Sequence, residues 1–335
     1  MATGSRLFSS QHIMGQTETS LIDDQPRQRH LDLPEWFKVS FLDLREDLFE
    51  ALQSDKRALV VYFGQENCAY CEALLETNFG DPEIARYTRA HFDVVPIDIW
   101  GDLPVTDIQG ETLTERDFSV MLGTNFTPSL VFFGPGGNEI FRLRGYYPPY
   151  RFRAALEYVA GHHYLRESFR DYLERADPPP KFERDDLNQQ AFFMEPPYLL
   201  DRSHFSANRP LSVFFEQPSC HACDLLHTAL AADERSLHYC SLMDAVQLDM
   251  WSDTPVLTPQ GRRLVAREWA SQLGIHYAPT VVFFDGAGQE IFRIDSVVRA
   301  YRLSRVLQYV AERGYETGLN YQQWHGKRRL VTREE

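Results

Sequence analysis

The chain is written twice, and this repeat constrains its fold more than any other feature. Cys68-Ala-Tyr-Cys71 recurs as Cys220-His-Ala-Cys223, 152 residues later. Asp98-Ile-Trp100-Gly-Asp102 recurs as Asp249-Met-Trp251-Ser-Asp253, at an offset of 151, and Pro128 recurs as Pro279 at that same offset. Glu139-Ile-Phe-Arg142 and Tyr158-Val-Ala160 recur as Glu290-Ile-Phe-Arg293 and Tyr309-Val-Ala311. One offset held across most of each half means a duplicated domain of about 150 residues, a normal size for a single hydrophobic core.

The halves also share a pattern of elements. Leu59–Phe63 and Leu211–Phe215 are short runs rich in Val and Phe, as buried strands are. Each leads to its Cys-x-x-Cys at a helix start, where Asn67 and Ser219 are expected as N-caps. Gly80 is expected to close the first such helix. Val94–Asp98 and Val246–Asp249 predict the next strand, and helices are expected at about 115–122 and 262–273. Ser129–Phe133 and Thr280–Phe284 predict strands that turn through Gly-rich loops into a partner strand, a hairpin signature. Closing helices start near Tyr150 and Tyr301. The order β-α-β-α-β-β-α is that of an α/β domain, a mixed β-sheet flanked by helices. The first half carries an additional opening helix, with Ser40 as its expected cap and Leu44, Leu48 and Leu52 along one face.

Boundaries follow from composition. Residues 1–30 are polar and are expected to form a disordered tail. Asp177-Pro-Pro-Pro-Lys181 opens an extended linker at 178–190. That leaves one domain at 31–177 and a second at 191–335.

Composition excludes several functions. The formal net charge of −14 disfavours nucleic acid or an anionic membrane as the main partner. Runs of 18 apolar residues, the length of a membrane-spanning helix, are absent from the sequence. The first 30 residues lack the apolar stretch of a secretory signal, so a cytoplasmic location is expected for the chain as it stands; the alternative is a periplasmic one, with a leader removed. Five cysteines are too few for a disulfide scaffold, yet four of them form two i, i+3 pairs. A zinc ribbon also uses paired Cys-x-x-Cys, but with the pairs closer together in sequence. A c-type haem needs His after the second Cys, where this chain has Glu72 and Asp224. No metal and no organic cofactor is therefore expected, and Cys240, without a counterpart in the first half, is expected as a buried apolar residue.

A strand, a Cys-x-x-Cys at a helix start and a later X-Pro opening a strand hairpin together resemble thioredoxin. The connection carrying Trp100-Gly-Asp and the segment Trp36–Leu44 resemble the thioredoxin-related proteins of the SoxW type. The resemblance covers about 34–165 and 205–315. It implies a cis-proline at Thr127-Pro128 and at Ala278-Pro279, opposite the cysteines, where a substrate chain can pair with the exposed backbone. The buried Asp of thioredoxin is missing, since its place falls at Tyr62 and Phe214. Glu66 and Glu216 are nearby, either as proton acceptors or as solvated loop carboxylates. Ala69-Tyr70 is similar to the Gly-Tyr of bacterial disulfide isomerases.

The chemistry expected is thiol–disulfide exchange on protein dithiols and disulfides, supplied by a protein reductant. Cys68 and Cys220, at the positive ends of helix dipoles, are the expected nucleophiles and are expected to be exposed. Cys71 and Cys223, one turn further in, resolve the mixed disulfide. His221 either stabilises a neighbouring thiolate or faces solvent. Trp100 and Trp251 either line a substrate groove or pack the long connection onto its domain. The alternatives to an enzyme are a client-binding module with little turnover, or a relay passing electrons between the domains.

Overall fold

The computed structural model describes residues 22–124, 126–176 and 187–334. The expected tail therefore lies outside the described residues up to residue 21, and the expected linker as far as residue 186. The chain divides into two compact units, Met1–Tyr172 and Leu173–Glu335.

In the first unit, helix α1 (Leu44–Gln53) precedes strand β1 (Ala58–Gly64), followed by the cysteine helix α2 (Ala69–Ala73). A π-turn at Leu74–Asn78 continues α2, and helix α3 (Pro82–His91) leads into β2 (Phe92–Asp98). A short hairpin, β3 (Pro104–Thr106) and β4 (Thr112–Thr114), comes before α4 (Glu115–Met121). Strands β5 (Ser129–Phe133) and β6 (Glu139–Arg144) then lead to α5 (Pro149–Ala160), and α6 (Phe169–Ala176) spans the boundary between the units. The sheet order is β2-β1-β5-β6, with β1 parallel to β2 and antiparallel to β5. Strand β1 is central and buried along its whole length, which is why it reads as an unbroken apolar run instead of an alternating one.

The second unit repeats this plan. A short strand β7 (Tyr198–Leu199) precedes β8 (Leu211–Glu216), the cysteine helix α7 (His221–Ala231) and α8 (Glu234–Ser241). Next come β9 (Asp244–Asp249), β10 (Pro255–Leu257), β11 (Arg263–Val265) and α9 (Ala266–Gln272). Strands β12 (Thr280–Phe284) and β13 (Glu290–Ile294) are followed by α10 (Ala300–Ala311) and α11 (Tyr321–Glu334). The sheet order is β9-β8-β12-β13, with the same sense of pairing. Leu211, Val213 and Phe215 meet Trp269 and Ala270 of α9 in one core cluster, and Leu59, Val61 and Phe63 meet Phe118 of α4 in the other.

Several local expectations are corrected. The cap of α1 is Asp43, whose carboxylate accepts the Arg45 and Glu46 amides; Ser40 instead accepts from Leu42 N at 2.7 Å and donates to Asp47. The helix expected at 262–273 begins only at Ala266, because Arg263–Val265 pairs with β10. Three-residue strands are too short to show alternation, so neither small hairpin was visible as a pattern. The cap of the first cysteine helix is Phe79 and not Gly80, which follows it without left-handed backbone and is needed because a Cβ there would collide with the Glu76 carbonyl oxygen.

Candidate functional site

Each Cys-x-x-Cys stands where a buried central strand hands over to a helix. The sulfur of the first cysteine is itself the helix cap. Cys68 Sγ accepts from Cys71 N, and Cys220 Sγ from Cys223 N, both at 3.1 Å. Asn67 and Ser219 are therefore not the caps. They take left-handed backbone, with φ of 60° and 52°, and turn the chain from strand to helix. Both pairs are disulfide-bonded, with Cα atoms 5.2 Å apart. The first cysteines are less open than expected: Cys68 is 5% and Cys220 9% exposed, against 0% for Cys71 and 2% for Cys223. The order of exposure holds, but each first sulfur is covered while oxidised.

Cis peptide bonds stand at Thr127-Pro128 and Ala278-Pro279. Thr127 lies directly over the first sulfur, its carbonyl oxygen 3.6 Å and its hydroxyl 3.4 Å from Cys68 Sγ. Gln65 Nε2 donates to that hydroxyl at 2.7 Å, and Trp100 Nε1 donates to Gln65 Oε1 at 2.7 Å. Because Thr127 Oγ1 accepts from Gln65, its own proton can be given to the sulfur. A hydrogen-bonded chain thus runs from the Trp100 indole to Cys68 Sγ, and it favours the thiolate once the disulfide is reduced. In the second unit Trp251 Nε1 donates to Gln217 Oε1 at 3.1 Å, but Ala278 has no hydroxyl to extend the chain. Both tryptophans thus flank their site through a glutamine, and Trp251 also packs against the second core cluster. Gln65 and Gln217 were not singled out in the sequence, although their equal place in the repeat was a usable signal.

The polar segment 22–30 covers the first site. Tyr70 donates to Asp24 Oδ2 at 3.0 Å and is only 1% exposed. Arg29 Nε donates to Glu72 Oε2 at 2.9 Å, and Arg29 and Asn67 exchange backbone and side-chain hydrogen bonds. The second unit has a lighter version, in which Asn188 Nδ2 donates to Asp224 Oδ1 at 3.0 Å. There His221, at the position of Ala69, is solvent-exposed.

Behind the second site lies a buried polar cluster. Glu216 and His227 are each 1% exposed, and His227 Nε2 is 2.8 and 3.0 Å from the two oxygens of Glu216. Gln247 Nε2 donates to Glu216 Oε2 at 3.0 Å and to the Asn188 carbonyl at 2.8 Å. Of the two carboxylates noted in the sequence, Glu216 is thus a core residue, while Glu66 is solvent-exposed. The corresponding first-unit positions are Gly64, Leu75 and Pro96. An open surface pocket of about 240 Å³ there is lined by Leu31, Leu33, Tyr62, Gly64, Pro96 and Asp98. Burial pushes the Tyr62 hydroxyl well above its usual range, and that hydroxyl has no partner among the described residues. Cys240 is buried, and burial pushes its thiol up to about 12, so it is a poor nucleophile at neutral pH. Among the described residues no group of three or more His, Cys, Asp or Glu side chains is placed to hold a metal ion.

The thioredoxin-like domain family matches residues 44–160 and 205–311. Among solved structures, a thioredoxin-fold protein from Helicobacter pylori is 21% identical, covering 36% of this chain and 84% of that one, with a TM-score of 0.32. A thioredoxin from Thermus thermophilus is 24% identical, covering 36% of this chain and 94% of its own, with a TM-score of 0.28. An alkylhydroperoxide reductase protein of Enterococcus faecalis is 14% identical over 82% of this chain and 100% of its own, with a TM-score of 0.26. No curated protein matches the chain. Both Cys-x-x-Cys pairs and both cis-prolines fall within the matched segments, and the chain belongs to the thioredoxin-like domain family, with one copy of the domain in each half.

Proposed function

We propose that the chain is a thiol–disulfide oxidoreductase acting on protein substrates through two Cys-x-x-Cys centres, by way of a mixed disulfide. The observation that carries this reading is the sulfur cap. In each unit the first cysteine sulfur accepts a helix amide at 3.1 Å beside a cis-proline, with the second cysteine within disulfide reach. A sulfur so placed is favoured as the thiolate by the helix dipole and by the amide it accepts. Cys68 or Cys220 attacks a substrate disulfide, and Cys71 or Cys223 then displaces the substrate from the mixed disulfide. The partners of this reading are protein disulfides and a protein dithiol reductant, with no organic cofactor. The SoxW-type resemblance of Trp36–Leu44 and the Trp100 connection belongs to it. Reduction of insulin with dithiothreitol as electron source tests it. A Cys68→Ser, Cys220→Ser double variant should lose this activity entirely, and unchanged activity would refute the reading.

A further inference from the structure

The segment 22–30 lies over the first site with little apolar burial to hold it there. Ile22, Asp24 and Arg29 are half-buried, and the rest of the segment is exposed. What holds it is chiefly one residue. Arg29 turns its whole guanidinium inward: Nε donates to Glu72 Oε2 at 2.9 Å, Nη1 to the Gln25 carbonyl at 3.3 Å and Nη2 to the Asp23 carbonyl at 2.6 Å. The two carbonyl bonds fold the segment back on itself, and the Glu72 bond pins that fold to α2. A planar guanidinium fork suits this three-way task, and the side chain is only 6% exposed. The Arg29 backbone is held too: its N–H donates to Asn67 Oδ1 at 2.8 Å, and its carbonyl accepts from Asn67 N at 3.4 Å. A second fastening joins the Tyr70 hydroxyl to Asp24 Oδ2 at 3.0 Å.

These fastenings fall on Asn67, Tyr70 and Glu72, the residues around and between the cysteines, and not on the sulfur. Cys68 Sγ faces Cys71 N and Thr127 instead. Between the segment and α2 there remains an open pocket of about 640 Å³, lined among others by Arg27, Arg29, Ala69, Glu72 and Tyr146. A protein client must lay its chain along Ala69 and Tyr70 and beside the cis-proline. A small disulfide needs only the sulfur.

From this arrangement we infer that Arg29 sets the substrate specificity of the first site: by fastening residues 22–30 over α2 it shuts out protein disulfides and leaves small disulfides their access. This role rests on the exchange chemistry proposed above and adds which substrates the first site takes. A protein client reacts only in the fraction of molecules whose segment has lifted, so its apparent affinity falls by that fraction. A small disulfide reacts with the docked and the lifted form alike. The bonds that must break are polar and charge-assisted, and water replaces them when the segment lifts, so docking is reversible. At the places of Tyr70 and Glu72 the second unit has Ala222 and Asp224, and Asp224 takes one amide bond from Asn188.

The test uses the full chain carrying Cys220→Ser and Cys223→Ser, reduced, and offered either insulin or a neutral dipyridyl disulfide. Oxidation of the Cys68, Cys71 pair is timed by acid quenching, alkylation and mass spectrometry of the cysteine peptides. Arg29→Ala should speed the reaction with insulin several-fold and leave that with the dipyridyl disulfide within about twofold. Asp24→Ala, which cuts the fastening at Tyr70, should shift the two rates in the same sense, and it decides by the same comparison if the Arg29 variant does not fold. An unchanged insulin rate in the folded variant overturns the inference. An equal gain with both disulfides overturns it as well, because the effect would then lie on the sulfur and not on access. In the parent chain the Arg29 amide, bonded to Asn67, should exchange its hydrogen slowly; exchange as fast as in a free peptide also overturns the inference. Oxidation by neither disulfide in any of these chains refutes the exchange reading itself.

Discussion

The two redox sites share a backbone and differ in which side they are furnished on. In the first unit the polar groups gather in front of the sulfur: Thr127, Gln65 and Trp100 form a hydrogen-bonded chain to Cys68, and Asp24 and Arg29 tie residues 22–30 over Tyr70 and Glu72. At the equivalent positions stand Gly64, Leu75 and Pro96, and Gly64 and Pro96 line an open pocket. In the second unit the front is barer, with Ala278 and an exposed His221, and the polar groups Glu216, His227 and Gln247 are buried behind. A duplicated frame holds the cysteines in register while the surroundings of each thiol diverge. A front-side hydroxyl stands over the sulfur of the first cysteine in one unit. A buried carboxylate, imidazole and amide bond to one another in the other unit.

The largest expected effect concerns protein substrates, which must lie along the residues between the two cysteines. A chain restricted to the second site by Cys68→Ser and Cys71→Ser should reduce insulin at least tenfold faster than one restricted to the first site by Cys220→Ser and Cys223→Ser. Equal rates would show that segment 22–30 does not obstruct the first site. The next effect sharpens the same point. Asp24→Ala with Arg29→Ala, in the chain restricted to the first site, removes the contacts to Tyr70 and Glu72 and should raise turnover several-fold. The same pair in the chain restricted to the second site should change nothing.

A smaller effect reports on the front-side hydroxyl. Thr127→Ala makes the first site resemble the second and removes the donor 3.4 Å from Cys68 Sγ. Loss of one weak hydrogen bond to sulfur, ~0.5–1 kcal/mol, should lower the rate of Cys68 alkylation by iodoacetamide at pH 7 by about threefold. Ala278→Thr should raise that of Cys220. Mass spectrometry of the labelled peptides reads both, with Cys240 unlabelled throughout because its thiol is buried and pushed up to about 12.

The smallest effect is on stability. Glu115 stands where the second unit has Ala266, and burial raises its carboxyl above the usual range, opposed by amides of Asp98 and Leu103 that it accepts. A raised carboxyl in the folded state favours the protonated form. Its stabilising share is complete below the unfolded value of ~4.3 and is lost as pH rises through the folded one. Glu115→Gln should therefore reduce the fall in urea midpoint between about pH 4 and pH 7. An unchanged difference would show that the amides, and not burial, govern this group.

The frame was legible in the sequence because it is made of repeats and long apolar runs. Strands of five to seven buried residues such as Ala58–Gly64 and Thr280–Phe284 leave an unmistakable trace, and paired cysteines and prolines at one offset locate both sites. The furnishing was not legible. Asn67 is a good capping residue by type, yet the cap is the sulfur of Cys68, because only the three-dimensional turn decides which neighbour faces the Cys71 amide. Glu216 lies at the end of a strand where a carboxylate normally meets water. Its burial depends on His227 and Gln247, 11 and 31 residues away, and no local pattern joins them. Gln65 and Gln217 look like loop polars until the indole nitrogens of Trp100 and Trp251 are seen to reach them.

The π-turn after Cys71 carries a consequence for how such a duplication can evolve. From Leu74 to Asn78 the helix widens, and Phe79 N bonds back to the Leu74 carbonyl at 2.9 Å, five residues earlier instead of four. Residues past this point are rotated out of the phase that the regular helix α7 keeps after Cys223. A side chain carried from α7 to the segment beyond Asn78 would not keep its placement relative to the cysteines. The halves have stopped being interchangeable parts: a swap must carry the whole helix, and a point mutation drifting from one copy to the other arrives at a different address.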